Sequence, residues 1–164
     1  MGVHLDAEER RLGRLVRLRS ILDTPEFNIV IFALLLNFPW EVLQAPLFDG
    51  MAKAPHWSAT KACGLATIGD GLIALVAYCL VAASVRDRRW ILRPGARQVV
   101  GFVVVGLMIT VVGERLAIGP LDRWAYAPAM PIIPFVGVGG APILQWLALP
   151  PLEIWFVRRQ LGPN

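Results

Sequence analysis

Polar side chains interrupt an otherwise apolar stretch of the chain in the segment NFPWEVLQ, which begins at Asn37. Asn37, Glu41 and Gln44 recur at positions i, i+4 and i+7, so a helix would place them on one face. A carboxyl group between two amides has hydrogen-bonding companions on its own helix and can act as a general acid or base. The segment therefore points to acid/base chemistry in an apolar environment.

Two further acids occur in apolar stretches. Asp70 lies between two glycines, which let another backbone or a ligand approach closely, and Thr67 precedes it by three residues. Glu114 follows Thr110 by four residues, so each acid has a predicted hydroxyl companion. An acid inside a membrane costs at least a few kcal/mol, so each of these acids requires an explanation.

The composition identifies the environment. The chain has 164 residues, 56% of them apolar and only 17% charged, which excludes an ordinary soluble domain. A bilayer core about 30 Å thick needs roughly 20 apolar residues per helix. Windows of that length lie at 27–48, 62–84, 98–118 and 138–157. We therefore predict an all-α membrane protein, a four-transmembrane-helix bundle that forms one integral membrane domain over residues 1–164.

The basic residues predict the orientation of this bundle. Twelve of the sixteen lie before the first window, between the second and third, or after the fourth: Arg10, Arg11, Arg14, Arg17, Arg19, Arg86, Arg88, Arg89, Arg93, Arg97, Arg158 and Arg159. The positive-inside rule places such residues, and with them both termini, in the cytoplasm. Residues 1–26 read as a basic amphipathic segment. Anionic lipid is therefore the expected partner, and nucleic acid is not.

The sequence between the third and fourth windows predicts a long outer loop rich in Pro, Gly and aromatic residues. Prolines at positions 120, 128, 131 and 134 forbid a regular helix there. Trp124 and Tyr126 suit the lipid headgroup level. The fourth window contains Pro142, Pro150 and Pro151, and we predict a broken helix beside a cavity.

Four polar residues, one in each predicted helix, lie at similar depths below the outer ends of their helices: Glu41, Asp70, Glu114 and Gln145. With a rise of about 1.5 Å per residue, each lies roughly 6 to 12 Å below the outer end of its helix. We predict that they form one layer, and that a kink at Pro39 opens space beside Glu41. A purely structural role in holding helices together is the alternative for the amides. Glu153, close to Arg158, is interpreted as structural.

Such a layer suits proton transfer in an apolar pocket. Acids removed from water tend to hold their protons, so one carboxyl group can donate a proton while a second receives one. Aromatic rings stabilise developing positive charge. The predicted catalytic residues are Glu41, Asp70 and Glu114. The predicted substrate-binding residues are Asn37, Trp40, Gln44, Trp124, Tyr126, Gln145 and Trp146.

The expected reaction is isomerisation or cyclisation of a lipophilic, isoprenoid-like substrate. The chain has two histidines, His4 and His56, and neither lies in a window. Their positions argue against haem held by a histidine pair and against histidine-ligated iron or zinc in the membrane. We expect no metal and no cofactor.

Three blocks of sequence carry resemblances to known families. The block from Glu114 to Trp155, together with NFPWEVLQAPLF and IGDGLIALVAY, resembles small four-helix proteins of the bacterial inner membrane with no assigned function. This resemblance implies a multi-pass protein of the bacterial inner (cytoplasmic) membrane. The step NFPWE resembles the Asn-x-x-Trp-Glu motif of the transmembrane terpene cyclases of fungal meroterpenoid pathways. That resemblance spans five residues and implies a membrane-embedded proton donor at Glu41, next to Trp40.

Two other classes of function stay open at this point. A proton- or cation-coupled transporter, working as a homo-oligomer, would use Glu41 and Asp70 to exchange protons for a cationic substrate. The predicted position of the acids near one face argues against it, because alternating access favours a site at the midplane. A non-catalytic subunit of a larger membrane complex is the second alternative.

Overall fold

The computed structural model of the protein describes residues 22–162. The described residues contain four α-helices: α1 (Pro25–Gln44), α2 (His56–Val85), α3 (Ala96–Ile118) and α4 (Gly140–Leu161). The predictions of an all-α class and of four helices are thereby confirmed. Most of the amphipathic segment predicted over residues 1–26 lies outside the described residues.

The start of α1 follows from its capping residues. Thr24 is extended, and its Oγ1 accepts a hydrogen bond from the Phe27 amide at 3.4 Å. Pro25 occupies the first helical position, where a backbone N–H would have no acceptor within the helix. Its missing N–H therefore costs no hydrogen bond. Pro39 lies inside the helix, which continues to Gln44 and ends in a short 3-10 turn. The helix thus ends four residues before the end of the predicted window, whereas the apolar stretch continues to Leu47.

Helix α4 corrects the prediction of a broken helix. It is continuous through Pro150 and Pro151 and extends four residues beyond the predicted window. Pro142 lies in its first turn, where no backbone donor is needed. The two inner prolines leave the carbonyl groups of Trp146 and Leu147 without their usual donors. Burial of Pro150 in the bundle keeps this part of the helix in place.

Three stretches of the described residues are long and apolar enough to cross a membrane: Pro25–Leu47, His56–Val85 and Ala96–Ile118. They are compatible with an integral membrane protein. Leu43 and Leu65 are among the exposed side chains, with 77% and 71% of their surface accessible. Apolar side chains exposed to this extent suit contact with lipid.

The helices pack in a ring. Helix α1 lies against α2 and α4, and α3 completes the ring by contacting the same two helices. Consecutive helices are therefore neighbours, as short connections in an up-and-down bundle require. This arrangement brings one face of each helix toward a common interior.

One end of the bundle, here called the basic end, contains the loop 86–95 and the C-terminus of α4. A 3-10 turn at Trp90–Leu92 inserts Trp90 into the core. Its ring stacks on Tyr78, with centroids 5.7 Å apart, and lies 6.0 Å from Phe102. Its Nε1 donates to the Tyr78 carbonyl oxygen at 3.3 Å. Aromatic packing therefore closes this end.

The opposite end, here called the aromatic end, is covered by two loops that bind each other. Phe48 and Tyr126 form an isolated antiparallel β-bridge, and the Asp49 amide donates to the Ala125 carbonyl at 2.9 Å. The ring of Phe48 also meets Trp124 edge to face, with centroids 6.5 Å apart. The first loop thus holds the second across the mouth of the bundle.

The second loop continues into a small hairpin before α4. Strand β1 (Ile132–Ile133) pairs antiparallel with β2 (Val138–Gly139). Gly137 adopts a positive φ of 64° in the connecting turn, a conformation that favours glycine. Arg115 Nη1 donates to the Val136 carbonyl at 2.7 Å and ties the hairpin to α3. The described loop between α3 and α4 contains this hairpin and no helix.

Candidate functional site

The side-chain amide of one residue on α4 contacts polar side chains of two other helices, α1 and α2. Gln145 Nε2 on α4 lies 2.6 Å from Asn37 Oδ1, 3.2 Å from Glu41 Oε1 and 2.9 Å from Asp70 Oδ2. An amide nitrogen carries two N–H donors, so three acceptors share them. Gln145 is 3% exposed, so this competition takes place out of contact with solvent.

The carboxyl groups of Glu41 and Asp70 are neighbours, because Gln145 Nε2 lies within hydrogen-bond distance of both. Glu41 is buried, whereas Asp70 is half-buried and is the more accessible member of the pair.

Gln44 and Trp40 extend the cluster along α1 toward the aromatic end. Gln44 Nε2 donates to Glu41 Oε1 at 2.6 Å and to Gln145 Oε1 at 3.3 Å. Trp40 Nε1 donates to Gln44 Oε1 at 3.2 Å. The indole thus fixes the orientation of the Gln44 amide, whose nitrogen faces the Glu41 carboxyl group.

Asn37 extends the cluster in the opposite direction, to Glu153. Asn37 Nδ2 donates to the Ala33 carbonyl at 2.8 Å and to Glu153 Oε1 at 3.2 Å. Glu153 is 1% exposed, and its Oε2 has no hydrogen-bond partner among the described residues. It belongs to this buried cluster and has no ion pair with Arg158 among the described residues.

The cluster is therefore a column along the bundle and not a single layer. It is called the polar column below and consists of Asn37, Glu41, Gln44, Asp70, Gln145 and Glu153. Gln145 and Glu153 are eight residues apart on α4, which corresponds to about 12 Å along the helix axis. Asn37 contacts both of them because its side chain lies between their levels. The spacing i, i+8 on α4 is the sequence signal that could have identified Glu153.

Glu114 lies apart from the column, contrary to the predicted layer. Its Oε2 accepts hydrogen bonds from the Tyr126 hydroxyl and, at 3.4 Å, from Trp124 Nε1. Burial and the neighbouring Glu114 carboxyl group raise the pKa of Tyr126, so its hydroxyl remains a donor at neutral pH. Glu114, Trp124 and Tyr126 together join α3 to the loops of the aromatic end.

The threonines do not act as companions of the acids. Thr67 Oγ1 donates to the Cys63 carbonyl at 2.8 Å, one turn back on its own helix. Thr110 Oγ1 is buried and has no partner among the described residues. Helical threonines commonly bond to the carbonyl four residues earlier, and this local bond takes precedence in the case of Thr67.

Trp146 is a packing residue in the structure. It is 3% exposed, and its ring lies directly over Gly106 of α3. A Cβ atom added at Gly106 would fall 1.9 Å from Trp146 Cζ3, so only glycine permits this approach. The ring therefore fills the space between α3 and α4.

The predicted opening beside Glu41 is not at Pro39. Pro39 is exposed on the outside of α1, whereas Glu41, two residues later, is buried on the inner face. The accessible side of the column is at Asp70, where Gly69 has no neighbouring atom within 4 Å of an added Cβ. Cavities of about 470 and 240 Å³ lie at the basic end and do not include the column.

Within residues 22–162, no group of three or more His, Cys, Asp or Glu side chains is arranged to hold a metal ion. Comparisons of the chain with protein-family models, curated proteins and solved structures found no match. The resemblances noted in the sequence therefore stay predictions, and the geometry of the polar column is the basis for a functional proposal.

Proposed function

We propose that the Glu41–Asp70 carboxyl pair transfers protons to and from a lipid-soluble substrate, catalysing an isomerisation or cyclisation of an isoprenoid-like molecule. The observation that carries this proposal is the shared donor: buried Gln145 Nε2 lies 3.2 Å from Glu41 Oε1 and 2.9 Å from Asp70 Oδ2. Two neighbouring carboxyl groups that share one proton provide an acid and a conjugate base, which is the starting state for acid/base catalysis.

The proposed topology supports access from the membrane. In this topology α4 is a fourth span. It is less apolar than the other three helices, but its polar residues Gln145 and Glu153 face α1 and are buried in the bundle, so they do not contact lipid. The basic end faces the cytoplasm of a bacterium, in agreement with the positive-inside rule. A lipid-soluble molecule would approach the column from the side, at the half-buried Asp70.

The proposed reaction leaves the pair unchanged overall. The protonated carboxyl group donates its proton to one carbon of an alkene, which leaves positive charge on the other alkene carbon, and the ionised partner removes a proton from the next carbon beyond that cationic centre. The double bond moves, and one proton remains on the pair. Gln145 Nε2 contacts both Glu41 and Asp70, so it can donate a hydrogen bond to whichever of the two carboxyl groups is ionised. Trp40 provides an aromatic face near the site for positive charge on the substrate.

Matched substitutions test this proposal. We expect Glu41→Gln and Asp70→Asn each to lower turnover at least about 100-fold, since positioned acid/base groups typically contribute 10²–10⁴-fold. Glu26→Gln is the control, because Glu26 lies at the basic end and pairs with Arg88 at 2.9 Å. The measurement is mass spectrometry of lipid extracts from cells that express each variant. Wild-type product levels in both Glu41→Gln and Asp70→Asn cells would contradict the proposal.

Proton-coupled transport is the second candidate, and the position of Glu153 favours it. The column places a third acid about 12 Å along α4 from Gln145, deeper than the predicted layer. A transporter needs a protonation site that approaches the midplane. Catalysis by the Glu41–Asp70 pair predicts that Glu153→Gln retains turnover within a few fold.

Transport predicts instead that wild-type protein in liposomes dissipates a pH gradient when a cationic substrate is added, and that Glu153→Gln abolishes this flux. A third outcome would contradict both candidates. If the protein co-purifies with a stoichiometric partner and has neither activity alone, it is a subunit of a membrane complex.

A further inference from the structure

A cavity of about 470 Å³ lies at the basic end between the C-terminus of α2 and the N-terminus of α3. Its volume is within the range of about 300–1,000 Å³ that is typical of small-molecule sites. It is far from the Glu41–Asp70 pair, and neither proposed function uses it. The eight lining residues are Val81, Ser84, Val85, Gly95, Ala96, Arg97, Gln98 and Gly101.

The two sides of this cavity differ in chemistry. Val81, Val85 and Gly101 form an apolar wall. Arg97 and Gln98 provide N–H donors at the rim. Ser84 Oγ already donates to the Val81 carbonyl at 2.7 Å, so the donors for a ligand come from α3.

The charge at the rim is positive and unbalanced. None of the eight described lining residues is acidic, and the adjoining loop carries Arg86, Arg89 and Arg93 against a single acid, Asp87. Among the described residues, Arg88 forms an ion pair with Glu26, and Arg97 has no carboxylate partner. An anionic group would therefore meet uncompensated positive charge.

We propose that this cavity binds one anionic phospholipid of the surrounding membrane. Its phosphate contacts Arg97 and Gln98, and one acyl chain lies along Val81, Val85 and Gly101. A zwitterionic lipid fits less well, because its ammonium group would face an excess of arginines. The site is independent of the proton chemistry proposed for the polar column, and either proposal can fail without the other.

The first test compares lipids and arginines. The full-length protein in detergent is titrated with dioleoyl-phosphatidylglycerol or dioleoyl-phosphatidylcholine, and the rise in unfolding temperature gives the apparent affinity. We expect phosphatidylglycerol to bind more tightly. Arg97→Gln should weaken its apparent affinity about fivefold, since one basic residue near an anionic lipid contributes about that factor. Arg123→Gln, at the aromatic end, is the control and should leave the affinity unchanged.

The second test fills the apolar wall without altering charge. Gly101→Leu places a side chain in the cavity, and an added Cβ there makes only an ordinary 3.5 Å contact with Val81. Gly113→Leu, on the same helix, is the control, because no atom lies within 4 Å of a Cβ added at Gly113. We expect Gly101→Leu to weaken phosphatidylglycerol binding and Gly113→Leu not to. Equal affinities for the two lipids, or equal effects of Arg97→Gln and Arg123→Gln, would overturn the proposal.

Discussion

The two halves of the bundle bury different kinds of side chain. At the basic end the core is apolar and aromatic: Trp90 packs against both Tyr78 and Phe102, and all three side chains are almost fully buried. From Glu153 toward the aromatic end the interior contains the polar column, whose amides and acids bond one another across α1, α2 and α4. The first arrangement is what a stable bundle needs. The second contains acids that stability does not require.

The aromatic core and the polar column have different physical explanations. Interhelical hydrogen bonds between amides can hold membrane helices together without any ionisable group. An acid inside the membrane costs at least a few kcal/mol, and the column contains three of them. Function is therefore the more economical explanation for Glu41 and Asp70, whereas Trp90 and its neighbours are explained by packing alone.

The largest expected effect on stability is at the basic end. Trp90→Ala removes a ring that is 2% exposed and that packs on two other aromatic rings. We expect the free energy of unfolding to fall by about 3–5 kcal/mol. Trp57→Ala is the matched control, because Trp57 is 69% exposed and should contribute less than about 1 kcal/mol. Denaturant titration in detergent micelles measures both, and similar losses would contradict the contrast.

A smaller effect is expected where α3 meets α4. Gly106→Ala would place a methyl group 1.9 Å from Trp146 Cζ3, so the indole must move. Overpacking of this kind costs about 1–3 kcal/mol. Gly113→Ala, seven residues further on the same helix, meets no atom within 4 Å and should be neutral or slightly stabilising. If both variants unfold at the wild-type midpoint, the close contact is not present in the protein.

Within the polar column, the coupling between Asn37 and Glu153 should be modest. A double-mutant cycle of Asn37→Leu and Glu153→Leu isolates their hydrogen bond of 3.2 Å. Interhelical side-chain bonds in membranes average about 0.6 kcal/mol, and we expect a coupling energy of that size. Additive effects of the two substitutions would indicate that this bond between α1 and α4 does not form.

The smallest effect is expected at the surface of the basic end. Arg88 pairs with Glu26 at 2.9 Å, but its side chain is 80% exposed and its charge is screened by salt. We expect Arg88→Gln to leave the unfolding midpoint within experimental error at both low and high salt. A midpoint shift that disappears in high salt would show that the ion pair contributes more than its exposure suggests.

The sequence predicted the helices well because hydropathy over 20 residues depends little on individual contacts. The ends of the helices were less accurate. Helix α1 ends at Gln44, two residues before Pro46, and a hydropathy window does not register that local signal. The continuity of α4 through Pro150 likewise depends on burial in the bundle.

Part of the candidate site could be read from spacing. The i, i+4, i+7 pattern placed Asn37, Glu41 and Gln44 on one face, and the structure brings that face to Asp70 and Gln145. Depth alone could not separate Glu114, since its partners Trp124 and Tyr126 come from a loop whose path depends on tertiary contacts.

The central claim is that Glu41 and Asp70 share one proton inside the membrane. Infrared difference spectroscopy of the protein in lipid bilayers at neutral pH tests it directly, because a protonated carboxyl group has a distinct C=O band. We predict one such band that both Glu41→Gln and Asp70→Asn shift or remove and that Glu26→Gln leaves unchanged. A spectrum in which neither Glu41→Gln nor Asp70→Asn alters a carboxylic C=O band would contradict the account.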